Sequence, residues 1–426
     1  MEKTGDKNIN KKEPNGTFGY AMSQGLFFMT MHAIMGMAVV YLQGAGFSKS
    51  FIGVAIAICS LVSAVLVIPI GSITDKSKRF DVHHVLMLSV ALIAAAAAFL
   101  MAGVKAGVIV IILFGFMMIA VQINNPLLNA LGMFFENRGV YINYGVARGV
   151  GSGLYALASI VISYLASEKM MGLVAVPISI FVLNVALFLV LMFFGNVRKF
   201  NSDGEIINKR SVSADEDTEP GTAQENSLGT LGFMKKYPWY MFFIVAVAVI
   251  FIPHNTLCNY MIVVLEPMGG DVSSLGWVLA IAAVCEIPTM FLFSKLKERF
   301  RSGSLIIFSG VFFTIKTVAT LLAFLSGSIP LLCAVQVLQG LGYAVIIPAS
   351  VYFGNESVDK ANEVQSQSFI GFAITVGTVL GSVCGGYLSD HLSVSAMLGI
   401  ISAISTVGSV LLFLSVKMCE KHTVRD

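Results

Sequence analysis

Long apolar runs separated by short polar breaks make up most of the chain. Twelve runs can be placed, each as long as the roughly 20 residues that cross a bilayer as a helix, at 18–42, 51–72, 84–103, 107–134, 141–166, 172–197, 238–265, 272–294, 303–325, 328–353, 364–388 and 393–416. Hydrocarbon cannot hydrogen-bond an unpaired backbone, so such runs are predicted to be helices. We number them span 1 to span 12 and predict an all-α integral membrane protein.

One polar break is much longer than the others and divides the spans six and six. Residues 198–236 are rich in Ser, Asp, Glu and Asn and cannot bury a core, so they are predicted to be a flexible linker. The expected organisation is two pseudo-symmetric six-helix bundles. Its parts are an N-terminal segment (1–17), a first bundle (18–197), the linker (198–236), a second bundle (237–418) and a tail (419–426).

Composition agrees with a membrane protein and excludes several other classes. The 426 residues are 56% hydrophobic and 12% charged, against about 45–50% and 25% in soluble domains. A net charge of +3 is too small to indicate nucleic acid. Five of the six cysteines lie in apolar runs and none forms a CxxC pair, so neither a disulfide framework nor a metal site is expected. No cofactor is expected either.

The basic residues predict the orientation in the membrane. With both termini in the cytoplasm, the cytoplasmic segments hold 22 of the 27 Lys and Arg residues and the outer loops hold 3. Cytoplasmic loops of membrane proteins carry this excess. We therefore expect a multi-pass protein of the cell membrane with both ends inside, and we expect it to be a monomer.

Five ionisable residues lie inside the apolar runs, where a charge costs about 2.5–3.5 kcal/mol or more. They are His32 in span 1, Arg148 in span 5, His254 in span 7, Glu286 in span 8 and Lys316 in span 9. One interpretation is that Glu286 and Lys316 only bind two helices together. The other is a hydrated central cavity in which Glu286 takes up and releases a proton as a cation approaches or leaves it. Either histidine could also carry protons or serve only packing.

Amide side chains gather on two other spans. Span 4 carries Gln122, Asn124, Asn125 and Asn129, and span 10 carries Gln336 and Gln339. Amides that face a cavity can hydrogen-bond a hydroxyl-rich or amide-bearing solute, whereas amides between helices bond the neighbouring span. Pro253 and Pro288 lie beside two of the ionisable residues, and both are expected to kink their helices.

The loop between spans 2 and 3 resembles the signature loop of the major facilitator superfamily (MFS). It reads Gly71, three residues, Asp75, then a basic cluster with Lys78 and Arg79. Ser77 stands where a glycine is usual, and Lys76 where arginine is commoner. The resemblance implies that this loop locks one side of the transporter closed, with Asp75 as a gate residue.

Span 5 is similar to the corresponding helix of lactose-permease-like proton symporters. In Tyr144-Gly-Val-Ala-Arg148-Gly-Val-Gly-Ser-Gly-Leu-Tyr155, Arg148 falls on the family's substrate-binding arginine and Tyr155 on its sugar-stacking aromatic position. Seven residues make two helical turns, so both side chains point the same way. The stretch that ends at Lys316 is similar to one that carries a coupling arginine in that family.

Three positions depart from that family. Asn129 stands at the position of a sugar-binding glutamate, Gln339 at that of a histidine, and Gly342 at that of the coupling glutamate. Glu286 resembles a glutamate of the broader relatives, which include nucleoside and aromatic-acid permeases, and is expected to take over proton coupling. The substrate is expected to be a small polar solute, with sugars, nucleosides and organic acids left open.

These observations predict a proton-coupled symporter that works by alternating access, and not an enzyme. Substrate contacts are expected from Arg148, Tyr155, Asn129, Asn125, Gln122, Gln339 and His254, and proton coupling from Glu286, Lys316, Arg148 and His32. An exporter of drugs or metabolites on the same fold is the alternative, and it would have a more apolar, aromatic-lined cavity. A non-transporting sensor ranks lower, because no segment outside the spans is long enough for an output domain. The chain has no GxSxG, HExxH or Walker sequence in a suitable context.

Overall fold

A computed structural model describes residues 16–76, 81–103, 107–136, 140–195 and 229–423 of the chain. In that part, eleven helices are long and apolar enough to cross a membrane, and a bent pair at the N-terminus makes a twelfth span. The all-α, twelve-span prediction is confirmed. The unbroken spans are Lys49–Lys76 (2), Val82–Met101 (3), Gly107–Glu136 (4), Tyr144–Leu165 (5), Ala175–Gly195 (6), Pro238–Leu265 (7), Val272–Arg299 (8), Ser302–Leu325 (9), Glu363–His391 (11) and Val394–Thr423 (12).

Spans 1 and 10 are interrupted. Span 1 consists of Thr17–Met31, a π-helical turn His32–Gly36 and Ala38–Gly44, and it bends by 44° at this turn. Span 10 consists of Ile329–Val335, Leu338–Leu341 and Tyr343–Ser357. Neither interruption is at a proline. π-Turns occur frequently at functional sites, and both interruptions lie at mid-span.

The backbone of span 7 departs from helical geometry at a tyrosine and not at its proline. Pro253 and Pro288 both lie inside continuous helices, and the non-helical residue of span 7 is Tyr260, with φ −111° and ψ 22°. Tyr260 is fully buried and its hydroxyl donates to the carbonyl of Ser382 in span 11 at 3.1 Å. The deviation therefore lies at a tertiary contact.

The C-terminal end of the predicted linker is helical. Thr230–Lys236 forms a short helix, which we call the linker helix. Its Phe233 is fully buried and stacks on Phe369 at a ring-centroid distance of 5.1 Å. Burial of one aromatic side chain contributes roughly 1.5–3 kcal/mol, so this segment is anchored to the second bundle.

The two bundles pack tightly at the end remote from the termini. A Cβ atom on Gly276 (span 8) would overlap the carbonyl oxygen of Ser159 (span 5), and one on Gly53 (span 2) would overlap that of Ser382 (span 11). Asp390, at the end of span 11, also accepts a hydrogen bond of 2.7 Å from the backbone NH of Ser50. Small residues permit such close helix contacts, so this end is closed.

No shared core joins the bundles at the opposite end in the described residues. One buried apolar cluster crosses between the bundles, and its members from the second bundle lie at the closed end, from Leu257 to Val278 and from Met397 to Ile401 among others. The other cluster lies at the end that carries the termini and draws only on residues 233–419. Gly71 lies within span 2, Asp75 is near its C-terminal end, and Lys78 and Arg79 lie outside the described residues.

Candidate functional site

A cavity of about 550 Å³ lies between the two bundles near mid-span. Spans 1, 2, 4 and 5 line it from one side and spans 7, 8, 10 and 11 from the other. Its volume lies within the roughly 300–1,000 Å³ of small-molecule sites. Six of the predicted substrate residues line it, namely Arg148, Tyr155, Asn125, Gln122, Gln339 and His254, and Glu286 lines it with them.

Glu286 and Lys316 are connected through one amide. The ammonium of Lys316 donates to Oε1 of Gln339 at 2.5 Å, and Nε2 of Gln339 donates to Oε1 of Glu286 at 3.1 Å. Lys316 is only 6% exposed and lies behind Gln339, whereas Glu286 and Gln339 reach the cavity. A buried cation needs a hydrogen-bond partner, and the amide supplies it while also contacting the carboxylate.

Arg148 enters the cavity from the first bundle. Its guanidinium carbon lies 4.4 Å from the centre of the Phe28 ring, a cation–π arrangement. In the described residues, the ion pairs within 4.0 Å include neither Arg148 nor Glu286. The cavity therefore holds a positive group from one bundle and a carboxylate from the other, each available to a solute.

Aromatic rings cover the walls between these charges. His254 stacks on Tyr343 with 4.8 Å between ring centroids and 13° between ring planes. Tyr155 lies on the opposite bundle, two turns after Arg148 as expected. Stacked and edge-on rings of this kind bind flat or cyclic solutes through their faces, while the amides and charges fix orientation.

Three predicted residues lie outside the cavity lining, namely Lys316, Asn129 and His32. Asn129 instead accepts hydrogen bonds from Tyr144 at 3.0 Å and from Gln24 at 3.3 Å, which makes it part of a network between spans 1, 4 and 5. His32 is fully buried within the π-turn, where its Nδ1 lies 3.1 Å from the Ser159 hydroxyl and its ring packs edge-on against Tyr155. Its Nε2 has no hydrogen-bond partner in the part of the chain described.

Comparison with known proteins identifies the family. The sequence profile of the MFS_1 like family matches residues 21–417, nearly the whole chain. The chain belongs to this family. No curated protein is significantly similar to it in sequence.

Solved MFS structures share the fold at low identity. A point mutant of the nucleoside transporter NupG superposes with a TM-score of 0.77 at 14% identity, covering 94% of this chain and 100% of that one. A bacterial homologue of the human lysosomal transporter Spinster, inward-facing and unoccupied, gives 0.67 at 14%, covering 95% and 97%. An autoinhibited peptide transporter of the POT family gives 0.66 at 12%, covering 94% and 96%.

This MFS cavity also has polar residues that the sequence analysis missed. Asn255 and Asn259 of span 7 and Thr375 and Thr378 of span 11 line it, beside His254. Asn259 donates to the Ser382 hydroxyl at 3.0 Å and so links spans 7 and 11. The missed signal was in the sequence: two amides four residues apart, on one face of an apolar helix, in the same run as an ionisable residue.

Proposed function

We propose that this MFS protein is a proton-coupled symporter that imports a small polar solute, a sugar or oligosaccharide or a nucleoside. The observation that carries the proposal is the cavity that Arg148 and Glu286 line from different bundles, with Gln339 linking Glu286 to Lys316. Arg148 and the rings of Tyr155 and Tyr343 bind the solute. Glu286 carries the proton.

Coupling follows from the charges around the cavity. With Glu286 ionised, its charge partly offsets those of Arg148 and Lys316. Protonation of Glu286 removes that compensation and leaves two cations near the solute. A solute that accepts hydrogen bonds from Arg148 then becomes the better partner for that cation, and the loaded protein can rearrange as a unit.

The polarity of the lining favours a polar solute over a drug-like one. Besides the two charges, amides and hydroxyls from both bundles reach the cavity, including Gln122, Asn125, Asn255, Asn259 and Ser152. An exporter of apolar compounds has no use for so many desolvated donors and acceptors, because each costs free energy when left unpaired. This mixture of rings and amides supports a sugar or a nucleoside.

The proposed orientation places both termini in the cytoplasm of a cell-membrane protein. The excess of Lys and Arg in the segments on that side supports it. The tightly packed end described above is then the outer end. The cavity of this conformation would load from, or release to, the cytoplasm.

Proton coupling is tested with Glu286→Gln in proteoliposomes. A thermal-shift screen of sugars, nucleosides and aromatic acids first identifies a solute that stabilises the purified protein. We expect an inward proton gradient to drive accumulation of this solute by the wild type. Gln keeps an oxygen that can accept from Gln339, so Glu286→Gln should lose accumulation but keep solute exchange.

The matched control is Glu266→Gln, which changes a carboxylate in the turn that follows span 7. It should accumulate solute like the wild type. Unchanged proton-driven accumulation by Glu286→Gln would overturn the coupling role. Hits confined to aromatic acids would overturn the sugar and nucleoside assignment.

A further inference from the structure

A cluster of two histidines and one aspartate lies at the start of span 3, away from the cavity. The cluster consists of Asp81, His83 and His84. Each offers one atom that could bind a metal, and these three atoms lie within 4.8 Å of one another. Asp81 is the residue before the helix and accepts from the backbone NH of His84 at 3.2 Å, which fixes its carboxylate at the helix N-terminus. The same carboxylate lies 2.8 Å from Nδ1 of His84.

His83 is held in the orientation of a metal ligand. It is 5% exposed, packs edge-on against Phe135, and its Nε2 lies 2.8 Å from the carbonyl oxygen of Leu191 in span 6. A carbonyl can only accept, so Nε2 carries the ring proton and Nδ1 presents a lone pair. That Nδ1 has no hydrogen-bond partner within the described ranges.

Metal-binding histidines are commonly held in this way. Their other ring nitrogen usually donates to a carbonyl or carboxylate, which fixes the tautomer and the ring plane. A buried nitrogen lone pair without a donor costs free energy, and a cation bound there would remove that cost. His84 is 45% exposed on its side chain, so its ring can reorient, and Asp81 supplies negative charge beside it.

The geometry points to a site for a divalent transition-metal ion of the zinc type, bound by Asp81, His83 and His84 with water completing the coordination. Imidazole and carboxylate ligands suit zinc and its neighbours, whereas magnesium and calcium prefer oxygen alone. A tetrahedral zinc with bonds of about 2.0–2.1 Å separates its ligands by about 3.3 Å. The three ligand atoms lie within 4.8 Å of one another, so metal binding requires them to move closer together, and the exposed His84 ring has room to reorient.

The site is independent of the proposed transport mechanism. It faces the end that carries the termini, directly after the loop that resembles the MFS signature, and it ties the start of span 3 to span 6. The cysteine pattern gave no reason to expect a metal, and none of the three proposed ligands is a cysteine.

Zinc binding to the untagged, metal-stripped full chain in detergent tests the site by competition with a chromogenic zinc chelator. We expect one Zn²⁺ per chain, and we expect Co²⁺ to give the visible bands of a four-coordinate ion. Asp81→Asn preserves the helix cap, since Asn caps as well as Asp, but removes the anionic ligand. It and His84→Gln should each weaken binding at least tenfold.

His83→Gln should also abolish tight binding, but it changes a buried residue and could impair folding, so the other two variants decide the question. The controls are His391→Gln and His422→Gln, exposed histidines whose Nδ1 atoms lie near their own helix carbonyls. Both should bind zinc like the wild type. Equal zinc affinity in the wild type and in the Asp81→Asn, His84→Gln double variant would overturn the proposal, as would a wild type that binds no zinc.

Discussion

Glu286 and Lys316 are joined by the side chain of Gln339, which accepts from the lysine and donates to the glutamate. Because the amide has a distinct acceptor and donor, it contacts both ions without being charged itself. The ammonium thereby has a partner that does not depend on whether Glu286 is protonated. This separates the stabilisation of the buried cation from proton binding at the carboxylate.

Replacement of Gln339 by Leu should therefore affect both stability and transport. It leaves the buried ammonium of Lys316 without its amide acceptor. A hydrogen bond to a charged group contributes about 1.5–3 kcal/mol. We expect a melting temperature several degrees lower in detergent and a loss of gradient-driven accumulation.

Gln336→Leu is the matched control for this prediction. Gln336 is on the same span and 2% exposed, but among the described residues its amide donates to the Leu332 carbonyl of its own helix and not to a charged group. It should melt closer to the wild type and transport normally. If both variants lost the same stability, the bridging role of Gln339 would be wrong.

Ionisable groups in apolar runs are costly and therefore stand out in the sequence. Of the five such residues, Arg148, His254 and Glu286 line the cavity, whereas His32 and Lys316 are buried outside its lining. Their partners were harder to assign. Lys316 was expected to pair with Glu286 directly, or to approach and leave it. The position of Gln339 between the two is set by the packing of spans 8, 9 and 10, which the sequence does not show.

Twelve spans were predictable because the bilayer sets helix length. The breaks in spans 1 and 10 were not predictable, because no proline stands at either break. At the π-turn of span 1, His32 contacts Ser159 and Tyr155 of span 5, and such tertiary contacts cannot be read from the sequence. Asn129 shows the same limit. It lies one turn after Asn125, which lines the cavity, but its side-chain oxygen accepts hydrogen bonds from Tyr144 and Gln24 instead.

Closure of the end remote from the termini should depend on glycine at position 276. A Cβ there would overlap the Ser159 carbonyl oxygen, so Gly276→Ala must separate spans 5 and 8 at this end. We expect faster labelling of Cys258, which lines the cavity, by an impermeant maleimide added from that side. The measurement uses a variant that retains Cys258 alone.

Gly371→Ala on span 11 is the control for this labelling experiment, because a Cβ there would meet no atom of another described segment within 4 Å. It should leave the labelling rate of Cys258 unchanged. Equal rates in Gly276→Ala and the wild type would show that this glycine contact does not hold the end closed.

The ring of Phe28 should hold Arg148 ready for a solute. Cation–π contacts contribute about 0.5–2 kcal/mol, so Phe28→Leu should weaken solute binding by about 2- to 30-fold. Phe28→Tyr keeps the ring and should bind nearly as well as the wild type. Arg148→Lys keeps the charge but loses the planar fork, and we expect a larger loss. Binding is measured by ligand-induced thermal shift, and equal affinity of the Leu and Tyr variants would contradict the prediction.

The linker helix should be held to the second bundle by Asp359 throughout the neutral range. Its carboxylate accepts from Lys236 and from the Tyr237 hydroxyl, and these hydrogen bonds hold the pKa of Asp359 below its ordinary value of 3.8. A carboxylate whose pKa is lower in the folded state stabilises the fold at pH values above its pKa in the unfolded chain. This stabilisation is lost only as the pH falls through the pKa of the folded state. Hydrogen exchange in 230–236, corrected for intrinsic rates, should therefore be constant from about pH 6 to 8 and faster in Asp359→Asn.

The control for this experiment is Glu420→Gln, which changes a carboxylate that pairs with Lys417. Its linker helix should exchange like that of the wild type. Protection that varied across this pH range would assign the contact to another titrating group.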